Sequence, residues 1–388
     1  MKIPIAKTVF EQAELDAILE PLRNGWVVQG PLVKDFEEKW CSFTGAPFAI
    51  ATSSCTTALH LSLAAMGIGP GDEVIVPAFT WVASANAVES LGARPIFADI
   101  SLSTFNIEPS GIPSLLSAQT KAIMPVHLFG LSASMDEVIG IAKKKNLLTI
   151  EDAACGFGAR YKGRHVGIFG DVGCFSFHPR KAITTGEGGM ITTSDESLAQ
   201  KLRAMRDHGA TTSDHQRHQG PKPYLLSDFP YLGFNYRMTD IQASIGCTQM
   251  DRASEIHAMR TKWANRYDEF FASIEWLLQP SFSGDYIHGY QAYVCLFCPD
   301  SISMKNIEDI HLRRNKFMDY LQGNGVSTRP GTHAVHMLGY YKTKYDLSSE
   351  DCPNSWIADR CSLAFPLFPN MTEEEFEYIA SLIRKYKP

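Results

Sequence analysis

Between Glu73 and Gly189 short apolar runs alternate with helical segments, and no other feature of this chain narrows its possible folds as much. The runs are Val74–Val76, Pro95–Phe97, Ala122–Val126, Leu147–Ile150, Cys174–Phe177 and Met190–Thr192. Each is apolar nearly throughout, as strands buried on both faces are. Strand and helix in strict alternation call for a mostly parallel sheet covered by helices. We therefore expect an α/β protein with a large domain over residues 1–249. After Thr239 the pattern changes to a long helical stretch reaching Ser273, strands near Gln291–Phe297, and helices over Ile310–Gln322 and Thr372–Lys385. This suggests a smaller C-terminal α/β domain over residues 250–388. Ahead of the alternating region, helices are expected over Glu11–Leu22 and Pro31–Phe43, with a strand at Phe48–Thr52 and a helix from there through Ala65.

A chain of 388 residues can bury a large core. Its 45% hydrophobic and 20% charged residues are those of a soluble globular protein. A net charge of −6 argues against a nucleic-acid partner, which favours a basic surface. No apolar run is long enough for a membrane helix, so no membrane partner is expected. The nine cysteines are odd in number and scattered, and the N-terminus lacks the apolar core of a secretory leader. Free thiols in a reducing cytoplasm account for them.

The strand Leu147–Ile150 runs into Glu151-Asp152, which puts a carboxylate at its C-terminal end, and ligands bind at that edge of an open α/β sheet. The next apolar strand leads through Ser176-Phe-His-Pro-Arg to Lys181, followed by the glycine-dense Gly186-Glu-Gly-Gly189, where backbone can approach a bound group closely. An amine and an acid on neighbouring strand ends suit pyridoxal 5′-phosphate (PLP). The lysine forms a Schiff base with the aldehyde and later carries protons. The aspartate keeps the pyridine nitrogen protonated, so the ring can accept electrons. Singly, Lys181 reads as a solvated loop lysine and Asp152 as a helix cap; together with the glycines they do not. Ser53-Ser-Cys-Thr56-Thr57 lies between strand and helix, as either an anion-binding helix N-terminus or a simple N-cap.

Six segments carry a resemblance: Ser53–His60, Pro77–Trp81, Glu151–Cys155, Ser176–Lys181, Gly186–Gly189 and Gly233–Asp240. In this order and spacing they resemble the DegT/DnrJ/EryC1/StrS sugar aminotransferases, fold-type I PLP-dependent transferases, over nearly the whole chain. The resemblance implies that Lys181 and Asp152 are catalytic. It also implies that Thr56, Thr57 and Ser176 hold the phosphate, that Trp81 stacks on the cofactor ring, and that Asn235 reaches the phosphate of the opposite subunit in a homodimer with shared active sites. Cys155 departs from the family, which commonly has Gln or Glu there near the cofactor's 3-oxygen, and a thiol is a weak hydrogen-bond partner. Related dehydratases replace the lysine with histidine; Lys181 is retained, which favours transamination over dehydration.

The reaction implied is transfer of an amino group from an amino acid, glutamate being the expected donor, to a keto-sugar acceptor. A nucleotide-linked sugar for surface polysaccharide such as lipopolysaccharide is the first expectation, and an oxidised eight-carbon acid sugar without a nucleotide the alternative. Arg329, in Ser327-Thr-Arg-Pro330, matches a recurring family motif and offers a planar guanidinium to a carboxylate or phosphate. Beyond it, His333 and His336 join Arg329 as candidate substrate contacts, and His215, Arg217, His218 and Lys222 could add to a cationic pocket. The spacing of His333 and His336 also suits a metal, but neither an acid nor a cysteine accompanies them, so none is expected.

Overall fold

A computed structural model describes residues 1–212, 224 and 226–388; His215, Arg217, His218 and Lys222 lie outside the described residues. The alternating region forms β1 (Phe48–Thr52), β2 (Glu73–Pro77), β3 (Phe79–Thr80), β4 (Arg94–Ala98), β5 (Thr120–Ile123), β6 (Leu148–Asp152), β7 (Arg160–Tyr161), β8 (Arg164–His165), β9 (Val172–Ser176) and β10 (Gly189–Thr193). Seven of these make one sheet in the order β1-β10-β9-β6-β5-β2-β4. All of its neighbours are parallel except β10, which runs antiparallel to both β1 and β9. The fold class read from the alternation is the one observed.

Alternate residues of each strand point to opposite faces, and the core divides accordingly. Ile50, Val74, Val76, Ile150, Val172, Cys174 and Ile191 pack with the helices Cys55–Ala65, Ala83–Glu89 and Glu196–Arg206. On the other face Ala49, Ala51, Phe175 and Met190 meet the helices Pro31–Thr44 and Asp240–Asp251. Trp40 is the centre of that second layer, with its ring 4.8 Å from Phe175 and 5.0 Å from Phe177, centroid to centroid.

The C-terminal strands are β11 (Leu277–Leu278), β12 (Tyr286–Ile287), β13 (Tyr293–Phe297), β14 (His333–Ala334) and β15 (Ser362–Phe365). β13 lies between β11 and β15, and the helices Ala253–Phe271, Ile307–Gly323 and Glu373–Lys385 pack around it. β14 pairs instead with β3, His333 opposite Thr80, so a C-terminal segment reaches the large sheet's edge. The helical stretch expected from near Thr239 to about Ser273 is present with one interruption, as Asp240–Asp251 and Ala253–Phe271, which meet at Arg252. The first helix is also two, Gln12–Ala17 and Leu19–Asn24. The ladder of β5 stops at Ile123, two residues short of Pro125, which has no N–H to donate; Val126 makes only an isolated bridge to Asp152.

Among the buried histidines, His165 and His288 have their pKa values pulled furthest below the ordinary value. His165 accepts from the Gly158 N–H and faces the Val166 carbonyl, and burial pulls its pKa down to about 4. Burial likewise pulls His288 down to about 3. An unfolded chain takes up protons near pH 6.5, before these rings do, so their contribution to stability is complete above that pH and declines as pH falls from about 6.5 towards 4. Each ring should add up to about 1.4 kcal/mol per pH unit to that decline. Urea unfolding measured at several pH values should show it, and His165→Gln should make the slope shallower.

Candidate active site

The sheet's register brings the expected cofactor residues to one edge. Thr52 pairs with Gly189 and Gly189 with Ser176, while Asp152 lies opposite Cys174 on the next strand. Because β10 is reversed, its first residue, Gly189, sits where β1, β6 and β9 end. A Cβ on Gly189 would lie 2.4 Å from the Ser54 carbonyl oxygen and 2.7 Å from the Cys55 nitrogen. Only glycine allows this strand to reach the start of the helix Cys55–Ala65. That helix opens on a capping box: the Thr57 N–H donates to Ser54 Oγ at 3.1 Å, and the Ser54 N–H to Thr57 Oγ1 at 3.0 Å. Its remaining first-turn N–H groups and its dipole favour an anion.

Above this edge a cavity of about 530 Å³ opens. Its walls include Thr56, Trp81, Asp152, Cys155, Ser176, Lys181, Arg329 and His333. Seven of the ten site residues expected from sequence are thus brought together. The other three lie elsewhere. The Thr57 hydroxyl is taken up by the capping box. Asn235 is exposed and bridges Asp207 away from the cavity wall. His336 is fully buried against Phe97, and neither of its ring nitrogens has a hydrogen-bond partner among the described residues.

Lys181 sits in a tight turn, its N–H donating to the His178 carbonyl at 2.8 Å. Its ammonium donates to Cys155 Sγ at 3.2 Å. Burial pulls the Lys181 pKa down, but Cys155, Cys55 and Asp152 together pull harder the other way and leave it above the ordinary lysine value. Asp152 is 4% exposed and accepts from Ser84 Oγ at 2.7 Å and the Ala154 N–H at 3.1 Å. Trp81 precedes its helix, so its indole stays 55% exposed on the cavity wall, 5.8 Å from the His333 ring. Arg180 and Arg329 add cationic groups to this wall and Glu187 an anionic one, while burial lowers the His178 pKa and favours its neutral ring.

Three supporting residues were not singled out from sequence. Ser84 holds Asp152. Arg260, buried in the helix Ala253–Phe271, donates to the Tyr290 and Gln291 carbonyls, and burial lowers its pKa to about 10. His127 donates to Glu151 at 2.8 Å. A buried arginine or serine in a helix has no sequence signal that separates it from a surface one. The Glu151 next to Asp152 was visible, but its partner was not.

The donor set fits PLP: an amine, an acid on a neighbouring strand end, and a helix N-terminus with a serine beside it for the phosphate. Such a site on a mostly parallel sheet defines a PLP-dependent transferase of fold type I. Comparison with known proteins agrees. The chain is 37% identical over 387 residues to the GDP-perosamine synthase of Caulobacter vibrioides, covering 98% of this chain and 97% of that one. It is 34% identical over 382 residues to the spore coat polysaccharide biosynthesis protein SpsC of Bacillus subtilis, covering 98% and 96%. Spr1654 of Streptococcus pneumoniae, solved in PMP and PLP forms, superposes with TM-scores of 0.90 and 0.89 at 26% identity, and the PMP form covers 98% of each chain. The chain belongs to the DegT/DnrJ/EryC1/StrS aminotransferase family, whose model matches residues 9–384. Enzymes of this family are PLP-dependent sugar aminotransferases.

Trp81 provides a check on the cavity's role. Because its indole is largely exposed, Trp81→Ala should change stability by no more than about 0.5 kcal/mol. Affinity for PLP, measured by titrating cofactor-free protein, should fall roughly tenfold with the lost stacking surface.

Proposed function

We propose that this enzyme moves an amino group from glutamate to a keto-sugar carried on a nucleoside diphosphate, in the cytoplasm, for the synthesis of a surface polysaccharide. The observation that carries the reading is the convergence of Lys181, Asp152 and Ser176 on one cavity wall beside the N-terminus of the helix Cys55–Ala65. Thr56, Ser176 and the helix N–H groups would hold the cofactor phosphate. Asp152 would pair with the ring nitrogen, and Trp81 would lie against the ring face. When bound, PLP supplies an aldehyde that receives the amino group and a ring that spreads negative charge.

Lys181 Nζ would anchor the cofactor and, once released, would take a proton from one carbon and return it to another. Its partner Cys155 accepts the ammonium's hydrogen bond and so orients that nitrogen. Arg180, Arg329 and His333 stand at the cavity wall with charge and donors suited to a diphosphate. The GDP in the name of one relative and the polysaccharide in that of another support the same acceptor class. His336, shut away from the cavity, has no part in this assignment. Asn235 faces outward from its own subunit, which suits contact with the phosphate of a second copy, and a homodimer with shared sites follows from that reading.

Reduction of the PLP-loaded protein with borohydride, followed by peptide mapping, should place the cofactor's mass on Lys181; a label elsewhere would overturn the assignment. Glutamate should bleach the visible absorbance of the loaded protein, and a nucleotide-linked keto-sugar should restore it where the free sugar does not. Lys181→Ala should slow transamination by at least about 10²–10⁴-fold, the usual weight of a general acid–base group.

A further inference from the structure

We infer that Ser84 is a positioning residue for Asp152, acting through a directed hydrogen-bond relay that runs Thr80 to Ser84 to Asp152. All three side chains are almost wholly buried, with exposures of 1%, 0% and 4%. Ser84 Oγ lies 2.7 Å from Asp152 Oδ2, 3.2 Å from the Trp81 carbonyl oxygen and 3.2 Å from Thr80 Oγ1. A hydroxyl has one proton to give. The carboxylate is the nearest acceptor and the strongest, so the proton goes to Asp152. Thr80 must then donate to Ser84.

The relay has a consequence for the acid's geometry. Among the described residues Ser84 is the one donor to Asp152 Oδ2, and the Ala154 N–H the one donor to Oδ1. Two donors from different elements, one on each oxygen, fix the plane of the carboxylate. One donor alone would leave it free to rotate about its last side-chain bond. The far end of the relay is fixed as well. Thr80 belongs to β3, whose partner β14 lies opposite it in register, and the Thr332 hydroxyl donates to the Thr80 carbonyl at 2.9 Å. Segment 329–334, which lines the cavity through Arg329 and His333, is therefore bonded to the residue that starts the relay. Ser84 itself does not line the cavity, so it acts on the cofactor only through Asp152.

This inference rests on the proposed pairing of Asp152 with the cofactor's ring nitrogen, and its test separates the two. PLP affinity of cofactor-free protein, the pH dependence of the bound cofactor's visible band, and the melting temperature would be measured for wild type, Ser84→Ala, Ser84→Thr and Asp152→Asn. Ser84→Ala should bind PLP roughly tenfold more weakly, the usual effect of losing a hydrogen bond to a charged group. It should also shift the band's pH midpoint in the direction that Asp152→Asn does, and Ser84→Thr, which keeps the hydroxyl, should recover both. If Asp152→Asn changes both readouts while Ser84→Ala leaves affinity within twofold and the midpoint unmoved, the relay is overturned and the acid's role stands. If Ser84→Ala and Ser84→Thr lose affinity equally and both melt early, Ser84 is a packing residue and the relay is again overturned. If Asp152→Asn changes neither readout, the ring-nitrogen reading falls and the relay with it.

Discussion

The catalytic edge depends on a carboxylate that never meets the cavity. Glu151 is fully buried beneath it, and each of its oxygens takes two hydrogen bonds. Oε1 accepts from the Phe169 and Gly170 N–H groups, and Oε2 from the Gly167 N–H and His127 Nε2, at 2.7–2.8 Å. Because the Ala133 N–H donates to Nδ1 of His127, the ring's proton must sit on Nε2 and point at Glu151. Burial pushes the Glu151 pKa up, but the His127 bond and the N–H groups of Gly170 and Gly167 outweigh it and leave the group below the ordinary carboxylate range. An ion buried without such partners would cost several kcal/mol. With all four it ties the segment after β5, the end of β6 and the loop before β9 into one rigid unit.

Adjacent residues on a strand face opposite ways, so fixing Glu151 inward fixes Asp152 towards the cavity. The two acids differ in what their neighbours leave free. Glu151 has every strong acceptor direction filled and is structural. Asp152 has one donor on each oxygen and keeps capacity on the side that faces the cavity, which is what a group that must accept from a ligand needs. The same end of β6 therefore holds both a structural anchor and an acid with acceptor capacity left towards the cavity.

Much of this was legible in the chain. Apolar runs gave the strands because parallel strands buried on both faces admit little else, and the polar residues that end them, Asp152 and Ser176, marked the edge where ligands gather. Lys181 stood out because a polar turn and a glycine-rich stretch flank it. Other features depend on which distant side chains meet, and no local pattern records that. Ser84 looks like any small residue in a helix, Arg260 like any surface arginine, and Thr57 like a second phosphate contact when it is half of a capping box. His336 shares a segment with His333, yet the short turn Val335–Met337 after β14 carries it into the core beside Phe97. The helix break at Ile18 was hidden for a related reason: apolar spacing continues through a joint that only packing requires.

The two-residue pair of β3 and β14 explains how a site built on one sheet includes residues from far along the chain. β3 follows β2 after a single residue, Ala78, whose N–H donates to the Ala98 carbonyl and whose own carbonyl accepts from the Val335 N–H. The C-terminal segment is thus bonded to backbone that continues directly from the central sheet. Trp81 leaves the end of β3 and His333 begins β14, so their rings meet at the cavity wall because the strands do. Backbone pairing of this kind holds position more tightly than contact between two long side chains, which must give up rotamer freedom to meet. The parts of the cavity wall that carry Trp81 and His333 are consequently held in register by the main chain itself.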